Sequence, residues 1–288
     1  MRLPVALSLA LAACASERAA PPPAAPEGMV YIPGGAVWVG SPRVGPYPPP
    51  GGGPSVRGRR TVWLDAYAID VNEATRADYA RFLLDTGYRL PSVGEPWASE
   101  GYAWSSAEEG SRVLPDHPVL LISWYDAREY CRWRGARLPT DAEWEVAALG
   151  AEGQNWPWGQ AFDASALNHG SPDEPFFDDS DGWLKTSPVG AFPAGRSPYG
   201  LNDAFGNAWE WTSDAWGGSW DSFQGGRHGE LLANPRDDAP ALYHGARGGS
   251  YFFGFEVNLD GERNGFLSEL RRKSTGVRCA VSLPAEPR

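Results

Sequence analysis

The chain has 288 residues, a formal net charge of -11 and 42% hydrophobic residues, with 35 Gly, 27 Pro and 14 Trp. That share of apolar side chains supports a packed core and excludes global disorder. The acidic balance excludes a nucleic-acid-binding surface, which needs a basic face. Glycine and tryptophan in such numbers point to a loop-rich fold held by aromatics, and the length suits one large domain.

Arg2 precedes a short apolar run at residues 3–13, too short to cross a bilayer, which closes in Leu11-Ala12-Ala13-Cys14. We read 1–14 as the signal of an exported lipoprotein of the bacterial cell envelope, with Cys14 lipidated and anchoring the chain to the membrane. An ordinary secretory signal is the alternative. Residues 15–27, rich in Ala and Pro, read as a tether. A single domain is expected over 28–283, and 284–288 form a tail.

Within that domain, Met29–Ile32 and residues 36–39 are apolar runs split by Pro33-Gly34-Gly35, a hairpin-like signal. Residues 43–60 read as an exposed irregular loop, and 61–70 alternate like one strand. Three helix starts follow, each with a hydroxyl followed three residues later by an acid: Thr75/Asp78, Ser123/Asp126 and Thr140/Glu143. Gly135 and Gly150 stop the second and third. Beyond Gly150 periodicity fades, and residues 156–193 and 216–246 read as long acidic loops, unusual in a compact domain unless functional or pinned.

Residues 199–214, YGLNDAFGNAWEWTSD, alternate acceptor oxygens with large aromatics. The carboxylates of Asp203 and Glu210, with the carbonyls of Gly206 and Ala208, form a plausible nest for a hard cation such as calcium. A solvated acidic turn is the alternative. Further segments accompany it in order: MVYIPGGAVWVG (29–40), VNEATRADYARF (71–82), PVLLISWYDAREYCRWRGARLPTDAEWE (118–145), WPWG (156–159), RGGSY (247–251) and GVRCA (276–280). This set resembles the sulfatase-modifying-factor family, whose founding member is the formylglycine-generating enzyme. The resemblance runs over residues 29–281 and implies an α+β fold, the family's variant of the C-type-lectin-like fold, with much irregular chain.

Several site expectations follow from the resemblance. One calcium site would use Asp203, Gly206, Ala208 and Glu210, with Asp203 in place of the usual asparagine. A second would use the side chains of Asn168 and Asp181 and the carbonyls of His169 and Trp183, although an acidic insert at 173–181 loosens that alignment. With Cys14 lipidated, Cys131 and Cys279 are left as a pair in an oxidising compartment, where thiols tend to join, and family members pair the matching cysteines. Two free buried thiols are the alternative.

The redox centre departs from the family. Its enzymes carry cysteines at the second and seventh positions after GGSY, where copper(I) binds to soft sulfur. Here those positions are Phe253 and Asn258, so neither copper nor formylglycine generation is expected, and no catalytic residue is assigned. The four histidines, His117, His169, His228 and His244, show no ligand spacing; His228, Glu230 and His244 could form an iron site only if a loop gathered them. RGGSY reads as a glycine turn entering a strand. In place of the copper site, Phe252, Phe253, Phe255, Glu256, Trp216 and Trp220 form a candidate cleft for a peptide or another envelope protein; buried core aromatics are the alternative. Relatives lacking the cysteine pair leave a second reading open, an oxidoreductase with a non-cysteine site, in which Glu256 or Glu262 acts as a base of raised pKa.

Overall fold

The computed structural model describes residues 24–40, 60–94, 96–99, 101–171, 177–216, 231–237, 240–252 and 263–284. Cys14, Trp220, His228, Glu230, Phe253, Phe255, Glu256, Asn258 and Glu262 lie outside the described residues.

The first motif forms strands β1 (Met29–Ile32) and β2 (Gly35–Val39), followed by β3 (Arg60–Leu64) and β4 (Tyr67–Asp70). The expected hairpin at 33–35 does not form. β1 instead pairs antiparallel with β4, Ile32 facing Tyr67, and β2 with β3, Gly35 facing Leu64. Residues 29–39 and 60–70 are thus one long ribbon bent at its middle, and the single strand expected over 61–70 is broken at Asp65-Ala66. The bend explains the glycine: a Cβ on Gly34 would stand 2.9 Å from the Ala66 amide nitrogen, closer than side chains tolerate.

Four helices follow: α1 (Arg76–Thr86), α2 (Ala107–Gly110), α3 (Trp124–Trp133) and α4 (Asp141–Leu149). At Thr75, Ser123 and Thr140 the structure has complete capping boxes, hydroxyl to N3 amide and N3 carboxylate to cap amide. Each such cap is worth about 1 kcal/mol. Gly87 ends α1 at φ +66 and Gly150 ends α4 at φ +77.

The second half holds β5 (Trp209–Ala215), β6 (Leu232–Ala233), β7 (Tyr243–Arg247), β8 (Arg263–Leu267), β9 (Thr275–Gly276) and β10 (Ala280–Ser282). Three sheets result, ordered β1-β4-β10, β2-β3-β6 and β8-β7-β5-β9. RGGSY therefore begins at the last residue of strand β7 and runs into a turn at Tyr251. Between 156 and 193 the described chain has only a short 3-10 turn at Ala164–Ala166.

Two cores hold these layers. Ile32, Val62, Ile69, Trp144, Leu149 and Phe205 pack α4 against the bent ribbon. Tyr79, Phe82, Trp104, Tyr130, Trp209 and Trp211 pack α1 and α3 against β5. Cys131 of α3 and Cys279 before β10 are joined by a disulfide across a sequence separation of 148. A second clamp is ionic. Arg247 of β7 reaches Asp141 at 3.1 Å and Glu145 at 2.7 Å on α4, and Arg263 of β8 contacts the same Asp141. The arginine of RGGSY thus locks α4 onto the four-stranded sheet.

Candidate functional site

The turn entering β5 lies at the centre of the molecule. Gly206 has φ +85, and a Cβ there would collide with the Asn168 carbonyl, so only glycine lets the two loops touch. Asn207 donates its amide to that same carbonyl at 3.0 Å. Asp203 accepts the Gly190 amide at 2.6 Å, and burial raises its pKa to about 6.

Glu210 has a counter-charge that the sequence does not announce. Arg278 grips its carboxylate at 2.8 and 2.7 Å, and the Trp144 indole donates to it at 2.6 Å. The remaining Arg278 donors go to the carbonyls of Asp70, Val71 and Asn202, so the five N–H groups of the guanidinium are all used. Glu210 is a buried carboxylate paired with Arg278, its Oε2 accepting two of these bonds and its Oε1 one. The first calcium set, Asp203, Gly206, Ala208 and Glu210, thus shares its Glu210 with that ion pair.

Glu73, which sequence reading passed over, braces the same turn. Its carboxylate accepts the Asn207 amide side chain at 2.6 Å and the Ala208 backbone N–H at 3.0 Å. Burial, then Asp203 and Glu210, push its pKa up. The only sequence signal was its place inside VNEATR, two residues before a helix cap.

The second set fits better. Asn168 donates its side-chain N–H to the Lys185 carbonyl at 2.9 Å, while its Oδ1 is buried with no hydrogen-bond donor. Leaving a buried acceptor unmet costs about 1–3 kcal/mol. Asp181, beside it, accepts the amides of His169 and Trp183, both at 2.8 Å, and burial raises its pKa. An orphaned amide oxygen next to a carboxylate that burial disfavours as an anion is a donor set suited to a hard cation.

After β7, Tyr251 packs with Tyr102, Leu120 and Leu121. The Tyr251 hydroxyl lies 3.0 Å from that of Tyr102, and Phe252 stacks edge-on with Phe177 at 5.0 Å. The Lys273 ammonium sits 3.9 Å from the Phe252 ring centre. Trp216 is elsewhere: its amide bonds the Tyr243 carbonyl and Arg263 lies over its ring at 4.8 Å. Because Tyr251 bonds Asn207 before β5 begins and Trp216 follows β5, the two described members of the expected aromatic floor stand at opposite ends of that strand. One continuous floor containing both does not form.

The described histidines have structural partners. His117 bonds Thr186 at 3.0 Å, His169 bonds the Gly170 carbonyl at 3.0 Å, and His244 bonds Ser268 at 2.7 Å. Among the described residues no three His, Cys, Asp or Glu side chains group as a metal centre.

Asp214, at the C-terminal half of β5, accepts the amides of Asp141 and Asp237 at 2.7 and 2.8 Å. Burial, then the Asp141 charge, raise its pKa from 3.8 to about 7. A carboxyl group more basic folded than unfolded binds extra protons in the native state between those values. Its contribution is full below the lower value and is lost as the pH rises through the upper. Urea midpoints should fall across that window, and Asp214→Asn should flatten the slope, which is at most about 1.4 kcal/mol per pH unit for one proton. An unchanged slope in the variant would contradict the assignment.

The mixed architecture of short sheets, four helices and long irregular segments wound about a buried Arg–Glu pair is that of the C-type-lectin-like scaffold used by formylglycine-generating-type proteins. The profile of the sulfatase-modifying factor enzyme 1-like domain matches residues 15–283, and the chain belongs to that family. It is 34% identical over 231 residues to a formylglycine-generating enzyme of Bos taurus, an alignment covering 67% of this chain but only 59% of that enzyme. It is also 34% identical over 217 residues to the inactive C-alpha-formylglycine-generating enzyme 2 of Bos taurus, covering 64% of this chain and 70% of that protein. PvdO from Pseudomonas aeruginosa superposes with a TM-score of 0.67 at 23% identity, over 88% of this chain and 94% of that one. The family includes oxidoreductases as well as a member named inactive.

Proposed function

We propose that this protein is an exported, lipid-anchored member of the family that has lost copper chemistry and works as a calcium-stabilised binding or accessory module at the bacterial cell envelope. One observation carries the reading: the chain has three cysteines, and two of them, Cys131 and Cys279, are bonded to each other. Phe253 and Asn258 occupy the positions that hold copper in the enzymes. With Cys14 lipidated, the domain keeps no thiol pair for a soft metal. Metal analysis of purified protein should find calcium without copper or iron, and thiol labelling of the mature domain should find nothing to label. Stoichiometric copper or iron would instead favour an oxidoreductase with a different site, the second reading.

Asn168, Asp181 and the carbonyls of His169 and Trp183 are the residues that would hold calcium, whose role is to tie the 168–183 segment to the turn before β5. Calcium at a hundredfold excess over its Kd should stabilise the fold by roughly 2.7 kcal/mol, read as a rise in Tm reversed by a chelator. Asn168→Ala should abolish the calcium-dependent rise. If the variant still responds fully, calcium is bound elsewhere.

A further inference from the structure

A cavity of about 880 Å³ opens where α3 meets the C-terminal half of β5, at the far end of that strand from the turn before β5 and from RGGSY. Part of its wall is legible in sequence. Trp124, Arg128 and Arg132 recur every four residues and so form one stripe along α3, and all three line the cavity. The Arg128 guanidinium lies 5.0 Å from the Trp124 ring centre, a stacked cation held flat against an aromatic face. Glu129 bonds Arg128 at 3.0 Å and approaches Arg132 at 3.6 Å. One carboxylate thus positions two cations without neutralising both, and the Arg132 side chain is 66% exposed.

The charge around the cavity runs against that of the whole chain. Among the described residues, Arg128, Arg132, Arg137 and Arg236 line it against two carboxylates, Asp65 and Glu143, in a protein of net charge -11. The rest of the wall is mostly apolar, interrupted by Thr140, Ser213, Asn234 and Ser282. Leu242 is 77% exposed there. His244 stacks on Trp124 with ring centres 3.7 Å apart. The Ser268 hydroxyl donates to the Leu242 carbonyl at 2.9 Å and accepts from the imidazole Nδ1 at 2.7 Å. Burial and then Arg128 lower the His244 pKa to about 4, so the ring is neutral near pH 7 and adds no charge to the wall. A concave, mostly apolar site with a few convergent cations suits an amphiphilic anion.

We propose that this cavity binds a small organic anion, its flat apolar body lying against Tyr125 and Leu242 and its carboxylate, sulfonate or phosphate held by Arg128 and Arg132. The proposal does not depend on the metal reading above, since copper in the protein would leave it standing. The test is a fluorescence titration of the purified protein with 8-anilinonaphthalene-1-sulfonate. A single saturable site is expected, weakened about tenfold or more by R128E/R132E, because two attractive ionic contacts become repulsive. Charge reversal at Arg112, exposed and away from the cavity, should leave the affinity unchanged. N-phenyl-1-naphthylamine, the same skeleton without the sulfonate, should bind roughly tenfold more weakly for want of the charge-assisted bonds. Should the double variant lose its fold by circular dichroism, Leu242→Asp carries the same expected loss from an exposed position. Equal sulfonate affinity in the folded charge-reversed protein, or equal binding of the uncharged amine, would overturn the proposal.

Discussion

Arg278→Met should destabilise the protein by about 3–5 kcal/mol, because it strands the Glu210 carboxylate in the core without its counter-charge. Arg278 and Glu210 are 0% and 1% exposed at their side chains, so water cannot take over from the lost partner. The same change also takes a donor from the carbonyls of Asp70, Val71 and Asn202, of which Val71 keeps the Asn202 amide. Urea unfolding should show a lower midpoint at an unchanged m value. Adding Glu210→Gln should recover part of the loss, since the amide removes the stranded charge while its oxygen can still accept the Trp144 N–H. Removal of only one member of a buried pair is the damaging event, and a double-mutant cycle exposes that coupling. A cost below about 1 kcal/mol for Arg278→Met would mean that Glu210 already sits protonated or solvated, and the ion-pair account would fail.

The second large effect belongs to the neighbouring residue. Cys279 is tied to Cys131 across a sequence separation of 148, and closing so long a loop restricts the unfolded chain by about 5 kcal/mol in the chain-entropy model, an upper figure. Cys131→Ala/Cys279→Ala should therefore lose roughly 2–5 kcal/mol. The wild-type protein unfolded in dithiothreitol should show the same displaced midpoint, with both thiols then open to labelling. An unmoved midpoint with both thiols labelled would show that the cross-link does not constrain the unfolded state. The two effects should not add. Asp70 accepts the Cys279 amide at 2.9 Å and pairs with Arg134, which caps α3, at 2.6 Å, and the Asp70 carbonyl is one of the Arg278 acceptors. One cluster therefore carries both perturbations.

That cluster also marks how far sequence reading reaches. The helices starting at Arg76, Trp124 and Asp141 were visible because a capping box closes within one turn, so Thr75/Asp78, Ser123/Asp126 and Thr140/Glu143 state their own conformation. Pro33-Gly34-Gly35 did not, since the same residues serve a hairpin or a bend in a long ribbon. Only the partner strand, about thirty residues on, decides between them. Glu210 was read as a cation ligand because its sequence neighbours are acidic and aromatic. Its true counter-charge, Arg278, is 68 residues away. Of the expected cleft, Trp216 and Phe252 were grouped by residue type, and the antiparallel pairing of β5 with β7 sends them to opposite ends.

Taken alone, the chain determined its family, its helix starts, the cysteines able to pair and the absence of cysteine at the second and seventh positions after RGGSY. Those are statements about residue identity, motif order and bonds closed within a turn. The tertiary structure decided which acids are spent on arginines, that Asn168 keeps a buried oxygen unmet, and that the Trp124–Arg128–Arg132 stripe faces a cavity. Burial and ion pairing are set by residues distant in sequence, and the free energy of a charged or polar side chain depends on what surrounds it far more than on its identity.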